Sequence, residues 1–188
     1  MLARVAVVVR SQSVRARGVS ASAVRADAEA MLRALRLADC ELSIVLCDDR
    51  RMRVLNLRYR GKDRTTDVLA FALHEGRALG FADPRWLGDV VISVPTAARQ
   101  ARAQGRGVID EVRMLLAHGL LHLLGDDHRT LAQARRMSAR TDALHAAARA
   151  RPRTLRGGVS RPARPVGYSM LGGRRIRGVS AAARRVAR

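Results

Sequence analysis

Apolar positions follow two different periods along the chain. Four segments alternate between apolar and polar residues or form short apolar runs, as β-strands do. These segments are Val5–Val9, Glu41–Leu46, Asp67–Leu73 and Gly88–Val94. Five others place apolar residues three or four positions apart, which predicts helices with one buried face. From their capping residues we expect helices over Ser20 to about Leu35, Asp48 or Asp49 to Gly61, Thr96 to about Gln104, Ile109 to Leu124, and Thr130 to about Arg149.

The order of these elements indicates the fold class. Strands are concentrated early in the chain and helices late. This order is typical of an α+β domain, in which helices pack on a small sheet. The sequence therefore predicts a mixed four-stranded sheet packed with about five helices.

Length and charge divide the chain into two parts. It has 188 residues, 48% of them apolar, which is enough to bury one core of ordinary size. The formal net charge is +20, and the last 38 residues contribute eleven arginines and no acid. We therefore expect a domain over residues 1–150 and a basic, flexible Arg/Gly/Pro-rich tail over residues 151–188. The tail has two interpretations: an arm that binds nucleic-acid phosphates, or a solvated extension in a chain whose coding favours arginine.

The sequence predicts neither a membrane span nor a secretory signal. No apolar run approaches the roughly 20 residues needed to cross a bilayer, and Arg4 and Arg10 limit the apolar start. Cys40 and Cys47 lie in or beside a strand pattern and do not form a close metal-binding pair. We expect both to be reduced core residues of a cytoplasmic protein.

The candidate chemistry lies at the end of the fourth predicted helix. His118 and His122 are four residues apart, so both imidazoles project from one helix face and can bind the same ion. Gly125 then ends the helix and lets the chain reverse, so that His128 can approach that ion. Three histidines around Zn²⁺ leave a fourth position for water, as in catalytic zinc sites.

One position separates this helix from the zinc helix of metallopeptidases. Their H-E-x-x-H motif carries a glutamate after the first histidine, and that glutamate is the general base. Here the position is Gly119, which cannot take a proton. The acids that remain nearby are Asp126 and Asp127 in the turn, either of which could orient a ligand or a water.

Other polar residues have simpler interpretations. Glu111 is either a hydrogen-bond acceptor for a ligand imidazole or an exposed carboxylate favoured at a helix start. Asp63 and Asp67 are expected to fix a loop or cap an element. His74 and His145 are expected to be surface or loop histidines.

Three ordered segments resemble the motifs of one family, the YbeY family. His118 to His128 is similar to its HGxLHLxGxDH signature, Leu55 to Phe71 to its LNxxYRxKDxPTDVLSF block, and Leu87 to Ser93 to its LGDIxIS strand. The resemblance covers roughly residues 1 to 150. It implies a metal-dependent endoribonuclease with a zinc-hydrolase-like fold, which cuts single-stranded RNA. It also implies a place in ribosomal RNA maturation, at the 3′ end of 16S RNA, and in ribosome quality control.

The same resemblance implies the site residues and partners. One zinc ion is expected on His118, His122 and His128, and Arg60 is carried over as the functional arginine of the YRxKD block. A metal and a guanidinium together can stabilise the charge that develops on phosphoryl oxygens during phosphodiester cleavage. Lys62 is a further candidate phosphate contact. The expected partners are single-stranded and ribosomal RNA and the ribosome.

The chain departs from the family motifs at a few positions. Thr65 replaces a usual proline, Ala70 and Ala72 replace a usual serine and proline, and Asp126 replaces a common aromatic. None of these changes removes an expected ligand. Two other functions stay open: a metallopeptidase-like zinc hydrolase, against which Gly119 argues, and a non-catalytic zinc-containing factor that binds RNA or the ribosome.

Overall fold

The computed structural model describes residues 6–12, 14, 18–37, 39–72, 85–126 and 130–150. The elements in these ranges are β1 (Ala6–Ser11), α1 (Ala21–Ala34), β2 (Glu41–Cys47), α2 (Asp49–Arg60), β3 (Val68–Ala72), β4 (Trp86–Ser93), α3 (Val94–Ala103), α4 (Val108–Leu123) and α5 (Leu131–Ala150). They confirm the predicted α+β class with a four-stranded mixed sheet and five helices. The predicted tail lies outside the described residues and stays a prediction. None of the helices described is long and apolar enough to cross a membrane.

The sheet has the strand order β1-β2-β4-β3. β1 pairs with β2, and β2 with β4, in parallel, whereas β3 runs antiparallel to β4. Val90 of β4 lies opposite Ile44 of β2 on one side and Ala70 of β3 on the other. β3 is therefore an edge strand of this sheet.

Two apolar clusters cover the two faces of the sheet. The larger contains α1, α3, α4 and α5 against residues such as Ile44 and Val90. The smaller lies under α2, where Met52, Leu55 and Tyr59 pack against alternate residues of three strands. Because side chains alternate along a strand, neighbouring positions contribute to different clusters. Among the described helices, α2 is thus the one that supplies the smaller core.

The helix ends confirm most of the capping predictions. The Ser20 side chain accepts a hydrogen bond from the Ala23 backbone N–H at 3.2 Å at the start of α1. Of the two aspartates considered for α2, Asp48 is the cap, since it accepts from the Arg51 N–H at 2.7 Å. α2 ends at Gly61, whose φ of +66° is the left-handed conformation that glycine adopts without strain.

The expected boundary at Pro95 is wrong. We expected this proline to stop β4 after Val94 and the next helix to start at Thr96. Instead β4 ends at Ser93, and Pro95 lies in the first turn of α3. A helix does not use the N–H groups of its first turn, so proline is tolerated there. Ser93 is the cap and accepts a hydrogen bond from the Thr96 N–H at 3.4 Å.

Both cysteines are free and buried, as predicted. Burial, together with the nearby Asp48 carboxylate, raises the pKa of the Cys47 thiol to about 12. A thiol with this pKa stays protonated near neutral pH, and a metal ligand has to be a thiolate. Cys47 is therefore a core residue.

Asp49 joins the start of α2 to the β4–α3 junction. Its carboxylate accepts hydrogen bonds from the Ser93 hydroxyl, from the Thr96 hydroxyl at 2.7 Å and from the Arg99 guanidinium at 2.8 Å. Burial acts to raise the pKa of Asp49, but the hydrogen bonds outweigh it and hold the pKa at about 2. The charged form is therefore the one that stabilises the fold.

We expect the Asp49→Asn variant to be less stable than wild type by about 1 kcal/mol at pH 7, after allowance for solvent screening. The folded pKa of about 2 lies below the ordinary value of 3.8, so this contribution is complete above pH 4 and is lost as pH falls toward 2. Urea unfolding of both proteins at pH 7 and pH 3 measures the difference. An equal gap at both values would contradict the assignment, and Asp142→Asn, at an exposed position, is the control.

Candidate metal centre

A cleft of about 630 Å³ lies along the edge strand β3. Its walls are the second half of α2, the loop over residues 61–67, β3, the second half of α4, and the turn after α4. Arg60, His118 and His122 all line this cleft. The structure thus brings the expected arginine and two expected ligands, which are far apart in sequence, to one site.

The two histidines of α4 are positioned to share an ion. Their Nε2 atoms lie 3.2 Å apart, and the rings meet edge to face with centroids 4.7 Å apart. Two nitrogens that bind one zinc ion at 2.0–2.1 Å with a tetrahedral angle lie about 3.3 Å apart. Both side chains are half-buried at the cleft wall. His118 and His122 therefore fit a zinc ion in donor chemistry and in spacing.

The helix that carries the pair ends as predicted. Gly125 has φ +85° and donates its N–H to the His122 carbonyl at 3.0 Å, and Asp126 donates to the Leu121 carbonyl at 3.0 Å. This pair of hydrogen bonds is a Schellman motif, which ends a helix and turns the chain away. The third expected ligand, His128, lies outside the described residues. No group of three or more His, Cys, Asp or Glu suited to a metal occurs within them, so the third ligand stays a prediction.

Asp126 borders the cleft with its carboxylate already engaged. The side chain forms an ion pair with the Arg140 guanidinium of α5. This contact ties the turn after α4 to α5. The arrangement favours a role for Asp126 in fixing the turn. Asp127, the other acid considered, lies outside the residues that the structure describes.

The opposite wall of the cleft is basic. Arg60, Lys62 and Arg64 are exposed and line it. The cleft also contains two acids, Asp67 and Asp126, whose carboxylates bind other protein groups. The free charge in this wall is therefore positive, and it attracts a polyanion. Arg64 had no role assigned from the sequence, because its place at the cleft depends on the folded loop.

Contacts with α2 hold the loop that carries these cations. Asn56 is 3% exposed and donates from Nδ2 to the Arg64 carbonyl at 2.8 Å. Asp63 accepts two hydrogen bonds from the Arg53 guanidinium, both at 2.7 Å. The hydrogen bond from Arg53 lowers the pKa of Asp63. Asp63 is thus a loop-fixing residue, as expected, and Asn56 is a second one that the sequence did not reveal.

Asp67 fixes the start of β3. Its carboxylate accepts hydrogen bonds from the Val68 N–H at 2.8 Å and from the Gln100 side chain of α3 at 2.9 Å. Its carbonyl accepts from the Ser93 N–H at 2.8 Å. The expected role of Asp67 in capping an element is confirmed. Gln100 was missed, since nothing in its sequence neighbourhood indicates this contact.

Gly119 lies where α4 touches the sheet. A Cβ atom at this position would lie 2.8 Å from Val90 Cγ1 and 3.2 Å from Val68 Cγ2. Real Cβ contacts are essentially never shorter than 3.0 Å. The glycine is therefore required by close packing, and the position that holds the general base in H-E-x-x-H helices has no space for a side chain here.

Two predictions for polar residues are wrong. Of the two interpretations of Glu111, the exposed carboxylate is wrong: the residue lies in the first turn of α4, but it is 4% exposed, and Arg106 Nη2 lies 2.8 Å from its Oε2. His145 is not a surface or loop residue either. It is half-buried in α5, with Nε2 3.8 Å from an Asp110 carboxylate oxygen, and burial lowers its pKa. His74 lies outside the described residues.

The fold and the cleft define an α+β protein with a helix-borne histidine pair facing a basic wall. The sequence profile of the family described as Endoribonuclease YbeY matches residues 11–149. The chain belongs to the YbeY family. This family assignment agrees with the resemblance of the three motif segments.

Curated relatives named Endoribonuclease YbeY match this chain over part of their length. Endoribonuclease YbeY of Anaeromyxobacter sp. strain Fw109-5 is 53% identical over 131 residues, which cover 69% of this chain and 66% of the relative. Its counterpart in Anaeromyxobacter dehalogenans is 52% identical, over 63% of this chain and 60% of the relative. The counterpart in Myxococcus xanthus is 50% identical, over 62% of this chain and 40% of the relative. The chain thus spans less than two thirds of the length of these relatives.

A solved structure supports the fold. The solution structure of TM1509 from Thermotoga maritima has a TM-score of 0.53 and 20% sequence identity to this chain. The match covers 77% of this chain and 89% of that one. At this identity the similarity concerns the fold alone.

Proposed function

We propose that this protein is a zinc-dependent endoribonuclease that cuts single-stranded RNA. The observation that carries the proposal is the convergence of His118, His122 and Arg60 on one cleft. The relatives named Endoribonuclease YbeY support it. In this proposal His118, His122 and His128 hold one zinc ion, and Arg60 is the catalytic arginine.

The residues of the cleft suit phosphodiester cleavage. Negative charge develops on the phosphoryl oxygens as the bond breaks, and the forked guanidinium of Arg60 can donate two hydrogen bonds to them. Lys62 and Arg64 hold neighbouring phosphates on the same wall. Zinc, when bound, supplies a Lewis acid beside the scissile phosphate. The arginine and the loop orient the RNA backbone toward the histidine pair.

The size of the cleft favours a single strand. A volume of about 630 Å³ is in the range of small-molecule sites, which take a few linked groups of a ligand. An RNA duplex is a broad helix whose deep, narrow major groove side chains cannot read. We therefore propose that unpaired nucleotides enter the cleft.

The proposed cellular role follows the family resemblance. It is the maturation of ribosomal RNA, at the 3′ end of 16S RNA, and ribosome quality control in the cytoplasm, with the ribosome as partner. The formal net charge of +20 suits a protein that works on RNA. The basic tail is proposed to add phosphate contacts.

The other two functions lack a supporting observation. A metallopeptidase of the H-E-x-x-H type needs a carboxylate at position 119, and Val90 and Val68 fill the space that it would occupy. A non-catalytic zinc factor does not account for Arg60 beside the histidine pair.

A chelation experiment separates these functions. The purified protein should cut a single-stranded RNA oligonucleotide, and this cleavage should stop after chelation and return when zinc is added. Binding without cleavage, or cleavage of casein alone, would overturn the proposal.

Arg60→Ala should lower RNA cleavage by about 100-fold or more, because one charged donor to the reacting phosphoryl group is lost. Bound zinc, measured by metal analysis, should not change. Arg58→Ala is the matched control, since Arg58 is also exposed on α2 but lies over the Tyr59 ring and not along the cleft. Equal activity of both variants would remove Arg60 from the mechanism.

A further inference from the structure

The outer edge of β3 runs along the cleft, and the register shows which of its backbone groups face outward. Ser93 N–H donates to the Asp67 carbonyl at 2.8 Å, so the residue pair 67/93 is a hydrogen-bonded pair of the antiparallel ladder. In such a ladder hydrogen-bonded pairs alternate with pairs that form no bond to each other. Leu69 and Phe71 therefore direct their N–H and C=O groups toward β4. Val68 and Ala70 direct theirs away from it.

A second contact supports this assignment. The Val68 N–H donates to its neighbour's carboxylate, Asp67 Oδ1, at 2.8 Å, and so does not point to β4. The outward groups left at this end of the strand are the Val68 carbonyl and both the N–H and the C=O of Ala70. Ala70 is half-buried, and both residues line the cleft. Among the described residues no strand pairs with this edge of β3.

The edge lies directly beside the histidine pair. Val68 packs against α4 at Gly119, the residue that follows His118. A chain seated on the edge of β3 would therefore pass the two imidazoles.

We infer that the outer edge of β3 binds the RNA strand through the backbone groups of Val68 and Ala70. The inference rests on the proposed function and names the contacts that hold the strand. RNA offers matching partners, because its phosphates and base edges accept from an N–H and its 2′-hydroxyls and base amino groups donate to a carbonyl. Backbone groups read no base identity by themselves, so the contact suits a site that takes single strands of varied sequence.

Charge decides between RNA and a peptide as the occupant. An extended peptide could also pair with a free strand edge. However, the facing wall carries Arg60, Lys62 and Arg64, while the carboxylates of Asp67 and Asp126 are engaged. A wall with free positive charge favours a polyanion over a neutral main chain.

A proline at position 70 tests the contact. Ala70→Pro removes the outward N–H and leaves the bonds to β4 in place, as proline does on edge strands. Ala70→Ser is the matched control, since it keeps the N–H. In the zinc-loaded protein we expect Ala70→Pro to raise the half-saturating RNA concentration about fivefold, because one hydrogen bond is lost, and to keep kcat within about twofold. Ala70→Ser keeps the N–H, so its half-saturating RNA concentration should stay close to the wild-type value.

The outcomes separate this inference from the proposed function. If wild type does not cut RNA, the proposed function fails. If wild type cuts RNA and the Pro and Ser variants, equally stable in thermal unfolding, have the same half-saturation, the inference alone is overturned.

A measurement on wild type covers the case in which the proline variant does not fold. Amide exchange at Ala70, followed by NMR, should slow about fivefold or more on addition of phosphorothioate-linked RNA, which is cut slowly. Exchange at Val8 on the opposite edge strand should not change. Unchanged exchange at Ala70, or protection by a casein peptide and not by RNA, would overturn the inference.

Discussion

Replacing His118 by alanine is expected to remove bound zinc and to lower RNA cleavage by on the order of a thousandfold. Only one described imidazole, that of His122, would remain at the cleft, and a metal site that loses a ligand loses both affinity and geometry. Without the ion, only Arg60 and Lys62 would stabilise the negative charge on the phosphoryl oxygens. Metal analysis and a cleavage assay on the same preparation measure both effects, and His122→Ala should behave alike.

The control for this experiment is His145→Ala. His145 is also a helical, half-buried histidine, but it faces Asp110 and does not line the cleft. Its replacement should leave zinc content and cleavage near the wild-type values. Retention of a full equivalent of zinc in both the His118 and His122 variants would contradict the metal site.

Gly119→Glu, which restores the peptidase motif, is expected to destabilise the fold by more than about 3 kcal/mol and to yield no peptidase activity. The new Cβ would lie 2.8 Å from Val90 Cγ1, a side chain that is 0% exposed and cannot move into solvent. Overpacking of this kind costs about 1–3 kcal/mol, and the buried carboxylate adds its desolvation penalty. Urea unfolding and a casein assay measure the two results.

A double-mutant cycle identifies the cause. Alanine usually stabilises a helix by about 1 kcal/mol relative to glycine, but we expect Gly119→Ala to destabilise α4 because of Val90. In a Val90→Ala background, Gly119→Ala should lower the free energy of unfolding by less than it does in wild type. Gly125→Ala is the control, since nothing lies within 4 Å of a Cβ there and its cost comes from φ +85°. A stable Gly119→Glu protein would refute the packing argument.

Local patterns predicted the elements well. β2 is a short apolar run that is buried on both faces of the sheet, and α4 has helical apolar spacing. Both patterns are properties of the segment itself, so the local sequence predicts both elements. The boundary at Pro95 failed because proline ends a strand and begins a helix equally well, and only the Ser93 cap distinguishes the two.

Contacts between segments that are distant in sequence were harder to predict. The pairing of His145 with Asp110 requires α5 to be packed on α4 first. The spacing of His118 and His122 predicted a shared face, but nothing local places Arg60 in the same cleft. For that position the family motif was the signal. From the sequence, Gly119 showed only that the general base of the peptidase motif is missing. The structure adds that no side chain fits at this position.

The position of α2 has a consequence for the opening motions of the protein. This helix carries Arg60, and among the described helices it alone supplies the small apolar cluster with Met52, Leu55 and Tyr59. Segments with few buried contacts open at lower free energy than the main core. α2 is therefore the expected unit of local unfolding, and each opening would withdraw the arginine while the histidine pair stays in place on α4. Under the proposed function, conditions that unfold α2 would stop cleavage before the rest of the domain unfolds.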